Sequence, residues 1–180
     1  MIGLVAAGRP LRTDFIASAP DKLFIDVPEP RAVATLCAFL LPSASLPANA
    51  GLAFFWALPP YSDFAALGVL TAAAPSAVWA TGWPATPEVA AAPSVRVCVS
   101  LLPADAIASL AAGRAAEAEA RAAGFAQSLA ADAGNFLGSF AQVLPGVGER
   151  LVLPPSALSV WLKRVEERFR ADPEFFRSRR

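Results

Sequence analysis

The sequence contains no histidine among its 180 residues. Histidine is the commonest general base and the commonest metal ligand in proteins, so the chain lacks the residue on which catalytic triads and many metal sites depend. Cysteine is scarce too, since Cys37 and Cys98 are the two present, and two thiolates cannot make a zinc site by themselves. Each lies in an apolar run, which favours a buried free thiol, although a disulfide between them stays open. We therefore expect no metal and no cofactor.

Charge is also scarce. Charged residues make up 17% of the chain, and 15 basic residues balance 15 acidic ones, which leaves no basic surface for nucleic acid. No charge occurs between Arg31 and Asp63 or between Asp63 and Glu88, but prolines such as Pro42 and Pro75 interrupt both stretches. A membrane-spanning helix needs about 20 continuous apolar residues, and neither stretch has them. The N-terminus also lacks the basic residues with which a signal peptide begins. We expect a soluble chain with no membrane partner.

Enzyme signatures are missing as well. The sequence has no G-x-S-x-G elbow, no Walker motif and no dinucleotide fingerprint that follows a strand into a helix. Asp21 and Asp26 lie five residues apart, which places them on opposite faces of a strand. Glu166 and Glu167 are adjacent and have basic neighbours, which favours solvated ion pairs over acid–base chemistry. These observations predict a protein that is not an enzyme.

The first 103 residues do contain a series of short apolar runs separated by prolines. The clearest is VRVCVSLL (95–102), in which valines and a leucine alternate with Arg96, Cys98 and Ser100, as in a half-buried strand. Six similar runs begin at residues 2, 22, 33, 52, 67 and 76. Because the prolines lie between the runs, seven short strands predict an antiparallel sandwich or barrel.

After Pro103 the pattern changes to helix formers. An apolar stripe at spacings of three and four occurs within residues 112–144. Its members are Phe125, Leu129, Ala133, Phe136 and Phe140. The alanine-rich half that precedes Phe125 has little to bury, so it fits either a solvated helix or a linker. Residues 145–155 form a connector with room for one short extended piece.

The end of the chain predicts a second amphipathic helix. It begins after Ser156, an N-cap residue type, and ends at Asp172-Pro173. Four apolar side chains recur at intervals of four, three and four, namely Leu158, Leu162, Val165 and Phe169. Two such helices cannot close a core alone, so they must pack on the sandwich, on each other or on a second copy of the chain. For the last of these options, the candidate dimer interface consists of Phe136, Phe140, Trp161, Leu162, Val165 and Phe169.

The sandwich region also holds a cluster of aromatic residues. Alternation in LAFFWAL (52–58) sends Phe54 and Trp56 to one face and Phe55 to the other. Since one face must serve the core, aromatic residues on both faces indicate either an edge covered by another element or an exposed groove for a peptide. The candidate apolar pocket consists of Phe54, Phe55, Trp56, Trp79 and Trp83. As an alternative, a cavity in the sandwich would suit a carrier of lipid or another small apolar ligand.

Five further segments occur in a fixed order along the chain: LVAAGR (4–9), DKLFIDVP (21–28), LGVLT…PSAVWATG (67–82), NFLGSF (135–140) and LPPSALSVWLKRVEERFRADPEFF (153–176). Taken in that order, these segments resemble the Hikeshi family, small eukaryotic carriers that take 70-kDa heat-shock chaperones into the nucleus during heat stress. No single motif is diagnostic, but five in series run nearly end to end through the chain. The last segment includes Trp161 and Phe169, which are separated by seven residues.

The resemblance implies a fold that is mainly β with α: an N-terminal antiparallel β-sandwich of jelly-roll type (1–103), a linker (104–120) and a C-terminal helical domain (121–180) that pairs two chains. It also implies a homodimeric, non-enzymatic carrier found in cytoplasm and nucleus. Its expected partners are ATP-loaded chaperones of the 70-kDa heat-shock class and the Phe-Gly repeats of nucleoporins. The repeats would enter the candidate apolar pocket.

One departure from the family pattern concerns repeat binding. The loop before the last sandwich strand is longer in animal members and carries a Phe-Gly pair implicated in nucleoporin contact. Here that stretch is WPATPEVAAAP (83–93), which is shorter and has no phenylalanine. The departure therefore puts repeat binding through this loop in doubt, and Trp83 at its base is a candidate substitute.

Overall fold

The computed structural model describes residues 2–42, 45–144 and 148–171. The chain divides into two compact units, Met1–Ala115 and Ala116–Arg180, and the division falls within a long helix. The first unit contains eight strands and the second contains most of the helical part.

The first unit confirms the seven strands predicted from the apolar runs and adds one that the pattern did not predict. The added strand, β2, has mostly exposed residues and therefore no alternation of buried and exposed positions. The strands are β1 (Ile2–Ala6), β2 (Ile16–Ala19), β3 (Lys22–Pro28), β4 (Thr35–Leu40), β5 (Ala50–Ala57), β6 (Ala65–Leu70), β7 (Ser76–Ala80) and β8 (Ser94–Pro103).

These strands form two antiparallel sheets. One has the order β1-β4-β7 and the other has the order β2-β3-β8-β5-β6. In β8 the predicted alternation holds as far as Val99, because Val95, Val97 and Val99 are buried while the residues between them are partly exposed. Leu101, predicted on the same face, is instead 37% exposed. The valines join side chains such as Leu4 and Leu36 of the three-stranded sheet in one hydrophobic core. The predicted antiparallel β-sandwich is therefore confirmed.

One end of the sandwich is closed by short helical turns. A 3₁₀ turn at Pro30–Ala32, another at Trp83–Ala85 and the short helix α1 (Pro87–Ala91) pack together there. Gly82 precedes the second turn with φ of +68°, a conformation that favours glycine. Because of this turn the side chains of Trp83 and Val89 enter the core, where they are 0% and 2% exposed.

The long helix α2 (Ala104–Gly138) begins directly after β8. It includes the segment 104–120, predicted as a linker, which is helical throughout. Near its start Ile107 is buried, and its side chain lies against Gly51 of β5. The predicted helix over 112–144 is too long at its C-terminal end. Residues 141–144 instead form the strand β9 (Ala141–Leu144), which pairs with β10 (Gly148–Leu151) in the predicted connector.

The last described helix is α3 (Ala157–Ala171), which begins at the residue after Ser156 as predicted. The predicted end at Asp172-Pro173 lies outside the described residues. Within the described part of the chain, no helix is both long and apolar enough to cross a membrane.

Candidate functional site

An open groove lies at one end of β5 and β6. It has a volume of about 330 Å³, and we call it the Trp56 groove. Its lining residues are Trp56, Leu58, Pro59, Pro60, Ser62, Asp63, Phe64 and Ala65. Phe64 is 46% exposed, so an aromatic ring is directly available to a partner. Prolines and aromatic rings give the groove apolar walls, while Ser62 and Asp63 add polar atoms to its lining.

The five predicted pocket residues do not form one surface. Phe54 is 0% exposed, and its ring centroid lies 5.0 Å from that of the half-buried Trp79. Trp83 is also 0% exposed and meets the half-buried Trp56 edge to face at 5.7 Å. Four aromatic residues therefore pack into the core and its margin. Of these, Trp56 also lines the groove.

The fifth residue, Phe55, lies on the opposite face of the five-stranded sheet. The register places Phe24 beside Cys98 and Cys98 beside Phe55, so these half-buried side chains form a row across three strands. Both cysteines are free thiols, as the sequence favoured, but they are half-buried and not fully buried. Burial raises the pKa of the Cys98 thiol and so disfavours its thiolate form.

Arg96 forms a charged cluster on the same face, which sequence reasoning did not identify. Its guanidinium donates two hydrogen bonds to the carboxylate of Asp26, at 2.8 and 2.9 Å. It also lies over the rings of Phe24 and Tyr61, 4.2 and 3.9 Å from their centroids. The hydrogen bond from Arg96 lowers the pKa of Asp26, against the smaller effect of partial burial. With its charge already satisfied, this cluster stabilises the sheet.

In the second unit, Asp132 of α2 connects the two helices. Its carboxylate accepts hydrogen bonds from the indole N–H of Trp161, at 3.0 Å, and from Arg168, at 2.6 Å. Burial raises the pKa of Asp132, but these two hydrogen bonds and the positive charge of Arg168 together lower it below its ordinary value. The sequence analysis did not identify Asp132. Its position within the apolar stripe of α2, three residues after Leu129 and four before Phe136, is the feature of the sequence that could have indicated its role.

Most of the predicted dimer interface packs within this unit. Phe169 lies 5.8 Å from Phe125 of α2, between ring centroids, and Val165 is buried. Phe136 and Phe140 contact each other at 5.3 Å. Trp161 is held by Asp132.

Leu162 differs from the rest of the predicted set. It is 53% exposed, and Leu158, one helical turn before it, is 59% exposed. The two leucines form an apolar strip on α3, which we call the Leu158–Leu162 strip. The preceding segment adds further exposed apolar side chains, Leu151, Val152 and Leu153. This concentration of apolar surface is what a helix presents when it packs on a partner.

Among the described residues, no group of three or more histidine, cysteine, aspartate or glutamate side chains is arranged to hold a metal ion. The polar clusters present are instead ion pairs and hydrogen bonds that connect neighbouring elements, such as Asp26 with Arg96 and Asp132 with Arg168. Two features available for recognition are the Trp56 groove and the Leu158–Leu162 strip.

Comparison with known families identifies both halves of the chain. Residues 5–92 match the model of the Hikeshi-like N-terminal domain, and residues 120–178 match that of the Hikeshi-like C-terminal domain. The chain belongs to the Hikeshi family. The two matches follow the order predicted from the five resembling segments and cover most of the sequence, and the family is one of transport carriers. No curated protein matches the chain.

Proposed function

We propose that this protein is a non-enzymatic nuclear import carrier, which binds ATP-loaded chaperones of the 70-kDa heat-shock class and the Phe-Gly repeats of nucleoporins during heat stress. It would shuttle between cytoplasm and nucleus. The observation that carries the proposal is the match of both Hikeshi-like domains in their expected order. A carrier needs binding surfaces rather than catalytic groups, which suits a chain without histidine.

We further propose that the carrier is a homodimer joined through α3. Leu158 and Leu162 are each more than half exposed, although they belong to the same apolar stripe as the buried Val165. Burying a leucine side chain stabilises an assembly by about 1.5–3 kcal/mol. A second copy of α3 placed against the Leu158–Leu162 strip would bury four such side chains by symmetry.

The Trp56 groove is the proposed site for Phe-Gly repeats. A cavity of about 150 Å³ accepts a benzene molecule, so a groove of about 330 Å³ has room for a phenylalanine ring. Trp56 and Phe64 provide aromatic contacts, while the prolines provide a rigid wall. Trp83, considered as a substitute for the missing Phe-Gly pair, is 0% exposed and supports the groove from behind by packing on Trp56. Contacts with single repeats would be weak, and multivalency would strengthen them.

The lipid-carrier alternative has less support. The aromatic residues predicted to line its cavity are Phe54, Trp56 and Trp79. Phe54 and Trp79 instead contact each other at 5.0 Å, which fills the space between them. We therefore retain the import carrier as the proposed function.

An import assay in permeabilised cells tests the proposal. Fluorescent 70-kDa heat-shock chaperone is supplied with ATP, with or without the purified chain, and nuclear fluorescence is measured. We expect accumulation that depends on the chain and falls in Phe64→Ser, since Phe64 lines the groove. Ile16→Ser is the matched control, because Ile16 is a similarly exposed apolar residue on β2. Nuclear fluorescence equal to that without the chain would overturn the proposal.

A further inference from the structure

A second cavity in the first unit differs in chemistry from the Trp56 groove. It has a volume of about 190 Å³ and lies between β1 and β4 of one sheet and β3 of the other, and we call it the Arg9 cavity. Its lining residues are Leu4, Ala6, Arg9, Pro10, Arg12, Val27, Pro28 and Leu36. Four of these belong to the buried core, whereas two are arginines. The cavity thus combines an apolar interior with two cationic side chains.

The chain segment after β1 creates this arrangement. Leu4 and Arg12 exchange two backbone hydrogen bonds, at 2.9 and 2.8 Å, so the chain folds back along the free edge of β1. This return places Arg9, Pro10 and Arg12 over the gap between the sheets. Arg12 then donates to the carbonyl oxygen of Asp26 at 3.0 Å, and Arg9 donates to those of Pro28 and Glu29. The arginines therefore connect β1 to β3 across the cavity.

The two arginines differ in how their charge is balanced. Arg12 donates two hydrogen bonds to the carboxylate of Asp14, and this pairing raises the pKa of Arg12. Arg9 donates instead to neutral carbonyl oxygens, and its ion pair with Glu29 is loose, at 3.8 Å with Glu29 68% exposed. A guanidinium has five N–H groups, and the hydrogen bonds described for Arg9 use two of them. Arg9 can therefore receive an additional anion.

The volume limits the apolar part of a ligand. A cavity of about 150 Å³ accepts benzene, whereas pockets for drug-sized molecules begin at about 300 Å³. At about 190 Å³, the Arg9 cavity accommodates one ring or a short branched chain and is too small for a lipid tail. Leu4, Val27 and Leu36 are buried and form the floor of the cavity, and the exposed Pro10 and Pro28 lie at its mouth. The apolar group would contact these prolines above that floor, while the ligand's negative charge would face Arg9.

We propose that the Arg9 cavity is a binding site for a carboxylate that carries one ring-sized apolar group. The apolar group enters between the sheets and the carboxylate bonds to the Arg9 guanidinium. Both a free aryl-alkanoate and the C-terminal carboxylate of a peptide that ends in an apolar residue have this chemistry. The site is independent of the proposed carrier function, since neither the Trp56 groove nor α3 takes part in it.

The test uses the full chain labelled with ¹⁵N and follows amide shifts on titration with three probes. These are 3-phenylpropionate, its neutral amide, and the peptide N-acetyl-Ala-Phe with a free C-terminus. We expect at least one carboxylate to shift amides of β1 and β3, and the amide to bind at least about tenfold more weakly, because a charged hydrogen bond is lost. Tighter binding by the first or third probe identifies a free acid or a chain terminus as the source.

Two variants and a control complete the test. Arg9→Gln removes the charge and should weaken the carboxylate about tenfold without affecting the amide. Ala6→Leu fills the cavity and should abolish binding of the carboxylate and of the amide. Dispersed amide signals in the spectrum of this variant would show that it is folded. Arg31→Gln should change nothing, because Arg31 is exposed and does not line the cavity. Equal binding of acid and amide in the unmodified chain, or no shift at β1 and β3 with either carboxylate, would overturn the proposal.

Discussion

The indole of Trp79 lies directly against Gly68. A Cβ atom placed on Gly68 would come within 2.1 Å of Nε1 of Trp79 and within 2.5 Å of its Cε2. Trp79 belongs to the three-stranded sheet and Gly68 to the five-stranded sheet, so the absent side chain allows the ring to cross between the sheets. The same ring contacts Phe54 in the core. Gly68 therefore determines how the aromatic residues of the sandwich pack.

We predict that Gly68→Ala lowers the free energy of unfolding by about 1–3 kcal/mol, the usual range for overpacking. Trp79 is a rigid ring that cannot turn aside without losing its contact with Phe54. Urea unfolding monitored by tryptophan fluorescence measures the change. Gly113→Ala is the matched control, and its expected change in the free energy of unfolding has the opposite sign, because a Cβ atom on Gly113 meets nothing within 4 Å. Alanine there should stabilise α2 by about 0.5–1 kcal/mol. Equal stability of Gly68→Ala and the unmodified chain would contradict the contact.

Asp132 predicts an acid-sensitive helix pair. Its folded-state pKa lies below the ordinary value, so its stabilising effect is present above the unfolded-state pKa of about 3.9 and is lost as pH falls through the folded-state pKa. Asp132→Asn should cost about 1–3 kcal/mol at neutral pH, because the Arg168 guanidinium loses its charged acceptor. It should also flatten the stability profile below about pH 4.

Circular dichroism at 222 nm during urea unfolding, repeated between neutral and acid pH, checks this prediction. Glu166→Gln serves as the control, since Glu166 is exposed on α3 and should leave the profile unchanged. Identical acid profiles for Asp132→Asn and the unmodified chain would show that the negative charge of Asp132 contributes nothing to stability.

The Leu158–Leu162 strip predicts the oligomeric state. The double variant Leu158→Glu, Leu162→Glu should convert the proposed dimer to a folded monomer, because both side chains are more than half exposed within one chain. Analytical ultracentrifugation measures the mass, and circular dichroism confirms that the helices persist. Lys163→Glu is the control, because it introduces the same charge on the exposed face of α3. A double variant that remains dimeric would place the interface elsewhere.

The contacts of Arg96 predict that lysine at this position gives a less stable protein than arginine. Arg96→Lys keeps the charge but loses the paired hydrogen bonds to Asp26 and the flat contact with Phe24 and Tyr61. We expect a loss of about 0.5–2 kcal/mol in the free energy of unfolding. Arg31→Lys, at an exposed position, should be neutral. If lysine at position 96 were also neutral, then the stacking geometry would have no energetic role.

Seven strands could be predicted from the sequence because their apolar residues alternate and prolines separate them. The strand β2 could not, since Ile16 is exposed and no face of the strand is buried as a row. Likewise AQVL (141–144) consists of residues that also suit a helix, and its pairing with β10 is what makes it a strand. Alternation of apolar and polar residues in the sequence identifies the strands that bury one face in the core. Strands at the surface, such as β2 and β9, form because they pair with another strand, and the sequence of the strand itself does not show that pairing.

The candidate site was less predictable for a related reason. Alternation correctly separated Phe54 and Trp56 from Phe55, but it cannot tell which aromatic ring another element covers. Trp83 is buried because Gly82 turns it into the core, and Phe54 is buried because Trp79 crosses from the opposite sheet. The loop over 58–64 that forms the Trp56 groove has no periodicity to interpret.

The most direct test of the proposed carrier function is calorimetry of the purified chain with a 70-kDa heat-shock chaperone, loaded with ATP in one experiment and with ADP in the other. The account predicts binding to the ATP-loaded chaperone with clearly higher affinity than to the ADP-loaded form. Absence of binding in both states, by a chain shown to be folded and dimeric, would contradict it.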